Sequence, residues 1–311
     1  MLNCVGITPD GVALPLPAPL SLRLQREEEA PADGLEVFFP AEGEWETLAG
    51  IRCWDTENRM AFDGMVDEQI WKYTGTGATR QVVARSRAAL LLDNEALPQT
   101  YYMPSLKVLF ERHAAPYGFS GYVGRDEVFG GAYTVEKGVS EWQALRGFCR
   151  QFLHVEPVLR GDRLDASGEG QAGSVRFSNR GGVPFTELEL RWNDYERISE
   201  VRLRAGEAGD YNMVLRDGEA VARGVRRRRF LSAADAEQAR RLLDRARQKA
   251  FAARVVCPGL VEVPLGTDAS VELDDDRRAG LQVAAWMYRL TASGETTSMT
   301  LRERGTSDVV I

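Results

Sequence analysis

Two histidines, four cysteines and 46 carboxylates are the groups in this chain with reach into acid–base, nucleophilic or metal chemistry. His113 and His154 stand alone, and a His-based metal site or triad needs partners that the chain barely supplies. Cys4, Cys53, Cys149 and Cys257 show no metal-type spacing and read as reduced, mostly buried thiols. The run Asp274 to Asp276 has the composition of a solvated turn at a strand end more than that of a cation site. Two carboxylates meeting in space would suit glycoside cleavage, but nothing singles out a pair. The stretch WKYTGTGATRQVVARSR, Trp71 to Arg87, carries the glycines and threonines of a phosphate loop. A phosphate loop runs on into Lys-Ser or Lys-Thr and a helix, whereas the residues after Gly77 alternate and favour a strand. The stretch therefore reads as a hairpin tip. Catalytic residues: none are assigned, and the same holds for cofactor and metal residues.

Other motifs take plain readings. Arg226 to Arg229 has the charge of a nucleic-acid patch, but it precedes a capped helix and reads as a solvated strand or subunit contact. The tripeptide Arg160 to Asp162 reads as a turn. The stretch YTVEKGVSEWQALRGFC, Tyr133 to Cys149, looks like the opening of a LysM glycan-binding module, with Trp142 as its aromatic. The second helix of such a module is missing, because HVEPVLRGDRLDAS goes directly into a hairpin.

The Trp71 stretch has an echo in WMYRLTASGETTSMTLRER, Trp286 to Arg304. Both begin Trp-x-Tyr, and both continue through Gly-x-Thr to Arg-x-Arg: Gly77, Thr79, Arg85 and Arg87, then Gly294, Thr296, Arg302 and Arg304. Upstream, each has a strand, an acidic turn and a strand entered near a glycine, Gly64 or Gly280. This reads as an internal duplication; two meanders sharing turn chemistry by chance is the plainer alternative.

The elements that would position these residues fall into three regions. Residues 1–88 hold short alternating stretches such as LSLRLQRE, without a helical period. Residues 89–182 are α+β. Ser105 precedes a helix whose Leu106, Leu109 and Phe110 share a face and which Pro116 ends. Ser140 and Gln143 form a capping box ahead of a stripe of Trp142, Leu145, Phe148, Cys149 and Phe152. Residues 183–311 return to strands. Asp217-Gly218 is read there as a hairpin turn, and a helix over 232–253 as capped by Ser232 and Asp235. The predicted fold class is α+β, mainly β: two small antiparallel tube-like β-barrel domains, 1–88 and 183–311, flanking a middle domain.

The bulk numbers fit a soluble globular chain of 311 residues, 44% hydrophobic and 27% charged. Its formal charge of −7 disfavours general nucleic-acid binding. No apolar run reaches the length of a membrane span, and the N-terminus lacks the basic start of a secretory signal, which points to synthesis in a cytoplasm.

The order of VVARSRAALLLDN, YTVEKGVSEWQALRGFCRQF, AEQARRLLDRARQKA and VPLGTDASVELDD resembles the baseplate hub family of contractile phage tails. Within it, the order is most similar to the PBSX-type tail hub, the phage late-control gene D protein and the hub part of VgrG. Similar proteins usually read Pro-Gly-Asp where this chain has Leu265-Gly266-Thr267-Asp268. The resemblance implies a homotrimer in which two tube-like domains per chain make a pseudo-six-fold ring. The implied partners are the tail tube protein, the central spike, other baseplate proteins and the tape-measure protein, with no cofactor and no enzymatic activity. The implied setting is the baseplate of a virion or phage-like particle assembled in a bacterial cytoplasm. A peptidoglycan-binding tail protein with a LysM-like middle domain is the second reading.

Overall fold

The structure is a computed structural model describing residues 2–41, 46–75, 77–169, 171–204, 210–232, 235–274 and 276–303. Arg304 of the repeated motif and Asp275 of the acidic run lie outside the described residues. The chain forms two compact units. One holds Met1–Gly170 with Met287–Thr296, and the other holds Gln171–Trp286 with Thr297–Ile311.

The first unit begins with seven strands: β1 (Asn3–Ile7), β2 (Ala13–Pro15), β3 (Ser21–Glu27), β4 (Ala30–Pro40), β5 (Gly50–Trp54), β6 (Met60–Thr74) and β7 (Gly77–Ser86). They pair antiparallel in the order β3-β4-β7-β6-β5-β1-β2. Period-two alternation puts Leu22, Leu24, Leu35, Val37, Phe39, Val82 and Ala84 inside. Gly77 opens β7 at φ +138°, a value that an L side chain resists, and the β6–β7 ladder runs as far as the Thr74–Gly77 pair. The Gly/Thr cluster is thus a hairpin tip, as its alternation implies.

The helical part of this unit runs α1 (Ala89–Asp93), β8 (Gln99–Tyr102), α2 (Leu106–His113), β9 (Gly121–Gly124), β10 (Ala132–Val135), α3 (Glu141–Phe148), β11 (Val158–Arg160) and β12 (Arg163–Ala166). Ser105 caps α2 through Val108 N–H, and the Ser140–Gln143 capping box of α3 is present in both directions. α3 continues as a π-helical turn over Cys149–Leu153 and stops at His154, which is left-handed at φ +59°. Trp142, Leu145, Phe148 and Cys149 are buried among Leu106, Leu109, Phe110, Tyr133 and Leu164. Each such side chain contributes roughly 1.5–3 kcal/mol on burial, so this stripe holds the helix on the small sheets. β11 and β12 form the expected hairpin, with Gly161 at φ +62° in its turn.

The second unit contains β13 (Gln171–Phe177), β14 (Glu187–Trp192), β15 (Glu200–Leu203), β16 (Met213–Arg216), α4 (Gly218–Ala222), β17 (Arg228–Leu231), α5 (Ala236–Ala250), β18 (Phe251–Pro258), β19 (Thr267–Leu273), β20 (Asp276–Thr291) and β21 (Gly294–Glu303). The tip of the β20–β21 hairpin belongs to the first unit, where β20 lies beside β3. The main strands follow the order β14-β18-β21-β20-β19-β13. This repeats the order β3-β4-β7-β6-β5-β1 of the first unit. Two differences stand out. A short turn joins β3 to β4, whereas β15, β16, β17, α4 and α5 are inserted between β14 and β18. β1 is antiparallel to β5, whereas β13 is parallel to β19.

The mainly-β, α+β class is as the sequence implies, with three corrections. No closed barrel forms: among the described residues each strand order is an open path, because no ladder joins its ends. Asp217-Gly218 is not a hairpin turn. Asp217 accepts a bond from Ala220 N–H and caps α4, and its oxygens also meet Arg247. The long helix spans 236–250, narrower than 232–253. Its cap is Asp235, bonded to Gln238 N–H, and Ser232 lies ahead of it.

Candidate assembly surfaces

The described residues contain no cluster of metal-ligating side chains. Cys4 and Cys53 face each other across the β1–β5 ladder with their sulfurs 3.1 Å apart, a juxtaposition that sequence distance hid. All four cysteines are free and buried. Hydrogen bonding to Cys4, then burial, raises the Cys53 thiol; burial pushes Cys257 up to about 11 and Cys149 up to about 12. A nucleophilic cysteine needs the opposite shift.

His113 is not alone in space. Its Nδ1 lies 2.5 Å from Glu141 Oε2 and its Nε2 lies 2.9 Å from Tyr101 Oη, while Tyr117 donates to Glu141 Oε1 at 3.0 Å. His113 ends α2 and Glu141 starts α3. Both side chains are buried, and the arrangement ties two helices together. His154 takes no part in it.

Trp142 is buried within this core, so it cannot stack on a sugar ring. Arg160 is engaged with Asp165, and Ser120 N–H donates to the Asp162 carbonyl, consistent with a structural turn. Asp274 sits at φ +52° and pairs with Arg180. Arg228 and Arg229 lie on β17, and Arg228 pairs with Glu200. The Arg227 guanidinium stacks 4.6 Å from the Tyr195 ring and donates to the Asp194 carbonyl at 2.6 Å.

Three exposed aromatic residues, Trp71, Tyr73 and Trp192, lie on the repeated strands, while Tyr102, Tyr195 and Phe230 are exposed elsewhere. Trp71 and Tyr73, on the outer arm of β6, are 44% and 72% exposed and stack on each other. Arg80, buried on the facing strand, lies 3.6 Å beneath the Trp71 ring. Their sequence counterparts Trp286 and Tyr288 are 1% and 0% exposed. Trp286 Nε1 donates to the Val261 carbonyl, and Tyr288 Oη donates to Glu295. β14 is the edge strand of the second strand order. It shows Leu190 and Trp192 to solvent on the face it shares with buried Ala253 and Phe251. Sequence reasoning missed both surfaces: the shared Trp-x-Tyr motif carries no mark of which copy is covered, and β14 lies outside it.

No family model matches the chain, and no curated protein matches it. Solved structures do. A tail protein from Neisseria meningitidis superposes with TM-score 0.76 at 17% identity, covering 98% of this chain and 97% of that one. The 43 kDa tail protein of prophage MuSo2 from Shewanella oneidensis superposes with TM-score 0.76 at 16% identity, over 97% and 98%. An Escherichia coli component of the type VI secretion system, described as similar to bacteriophage T4 tail proteins, gives TM-score 0.59 at 11% identity, over 98% and 77%. The chain therefore has the fold of phage tail proteins and of a type VI secretion component, in keeping with the baseplate hub resemblance carried by its sequence.

Proposed function

We propose that this chain is a structural baseplate hub of a contractile phage tail or phage-like injection particle. Three copies form a pseudo-six-fold ring that joins the tail tube to the central spike. The observation that carries this reading is the repeated strand order, β3-β4-β7-β6-β5 and β14-β18-β21-β20-β19, within one chain. A chain with the same sheet twice lets a three-fold particle present six similar surfaces, which matches a six-fold tube on one side and a three-fold spike on the other. The similarity to tail proteins over nearly the whole chain supports the same reading.

In this reading residues 1–88 and 183–311 are the two tube-like domains, and 89–182 is an α+β middle domain between them in sequence. Other baseplate proteins and the tape-measure protein are further contacts. The role is geometric, not catalytic, and its place is the tail baseplate of a particle assembled in a bacterial cytoplasm. Burial of Trp142 removes the aromatic on which the glycan-binding reading relied. Light scattering of the purified chain, alone and with tube protein, is the test: a trimer that caps tube ends is expected. A strict monomer at high concentration that leaves tube protein unchanged would overturn the proposal.

A further inference from the structure

In the first unit β3 does not end the sheet, because the tip of β20 lies beside it. Its core residues Leu22 and Leu24 are correspondingly buried. β14 holds the same place in the second strand order, yet its outer side has no strand among the described residues. β6 holds the place of β20. β5 pairs with β6 only over residues 60–65, and Leu48 adds a contact to Gln69. Beyond that, Ile70 to Tyr73 has no strand on its outer side among the described residues. The chain thus uses one arm-to-edge junction internally and leaves the matching arm and the matching edge unused.

The chemistry of the two unused parts agrees. Val66 N–H donates outward to the Ala49 carbonyl, so Ala84 opposite it turns away from β6; by alternation Val83, Gln81, Thr79 and Gly77 bond to β6, and their partners Glu68, Ile70, Lys72 and Thr74 bond to β7. Trp71 and Tyr73 therefore turn their main-chain N–H and C=O groups to the outer side. On β14, the Asn193 N–H bond to the Ala250 carbonyl sets the alternation, and Leu188, Leu190 and Trp192 turn theirs outward. The outward-bonding residues on both strands are also the half-exposed apolar ones. A long unpaired edge with an apolar face is an aggregation hazard unless something covers it.

We propose that β6 of one copy, through Ile70 to Tyr73, adds to the free edge of β14, Glu187–Trp192, in the next copy. Trp71 and Tyr73 then cover Leu190 and Trp192, as Trp286 and Tyr288 are covered within the chain. The contact is head-to-tail: each copy gives an arm and receives one, so within-chain and between-chain junctions alternate around the ring. This rests on the ring reading and specifies which edges close it.

Paired cysteine variants of the full chain test it. Cysteine is placed at position 71 or 73 together with position 188, 190 or 192, and the oxidised protein is run without reductant. At least one pair is expected to give covalent dimers and closed trimers, with single variants giving none. Hydrogen exchange on the wild-type chain supplies a second readout: amides of residues 70–73 and 188–192 are expected to slow about tenfold or more on assembly. Trp71→Ala is expected to weaken association about 30-fold or more, the effect of losing a buried aromatic anchor. A wild-type trimer with no cross-link from any pair and unchanged exchange at both segments would overturn this junction and leave the ring reading standing. A wild-type chain that never trimerises would overturn both.

Discussion

At the scale of single residues, similar letters do different physical work in the two halves of the repeat. Gly64 and Gly280 both lie at the start of the long arm strand. A Cβ on Gly64 would sit 2.4 Å from the Arg85 carbonyl oxygen and 2.5 Å from the Phe62 ring, whereas Gly280 has open space but φ +74°. Gly64→Ala is expected to lower stability by about 1–3 kcal/mol through steric overlap with main chain. Gly280→Ala should cost about 1–2 kcal/mol, the strain of a left-handed residue. Urea unfolding of both variants checks the difference. Arg85, the first arginine of Arg-x-Arg, forks between Asp67 and Asp93, and Asp67 is the extra residue of the β6 bulge between Val66 and Glu68. Its hydrogen bonds hold the Asp93 carboxyl below the usual range. A depressed carboxyl stabilises the fold above the unfolded value, about 3.9, and loses that contribution as pH falls through the folded value. Arg85→Ala is therefore expected to cost about 1 kcal/mol at neutral pH, with the gap to wild type closing under acid. Melting curves across pH read this directly; a gap that is constant with pH would refute the assignment.

At the scale of elements, caps decided where helices begin. Ser140 and Gln143 satisfy each other's free groups, and the periodic stripe behind them is the core face of α3. For the long helix two acceptable caps lay three residues apart in sequence. The chain uses Asp235 because helix α5 packs through Ala239, Leu243, Ala246 and Ala250, placing its first turn at Ala236. Asp235→Ala is expected to cost about 1 kcal/mol, and Ser232→Ala only a few tenths, by thermal unfolding. Asp217 shows the same competition from the other side. Asp-Gly favours a tight hairpin turn, but burial of Asp217 against Arg247 turned the pair into a helix start.

At the scale of the whole molecule, the proposed ring depends on main-chain pairing and apolar cover more than on charge. Its trimer mass is therefore expected to persist in about 1 M salt, where exposed ion pairs are screened. Dissociation by salt alone, followed by sedimentation, would argue for an ionic interface instead. Much of this protein was legible in its residues: alternation marked the strands, caps and stripes marked α2 and α3, and the twice-used Trp-x-Tyr and Gly-x-Thr pattern marked the two arms. These signals are local, set by which faces of a short segment meet water, and a single sequence carries them. Only tertiary structure decided that Trp286 and Tyr288 are covered while Trp71 and Tyr73 are open. It also decided that His113 meets Glu141, that Cys4 meets Cys53, and that the sheets are open paths. Those outcomes depend on which distant strand lies alongside, and burial depends on the neighbour, not on the residue itself.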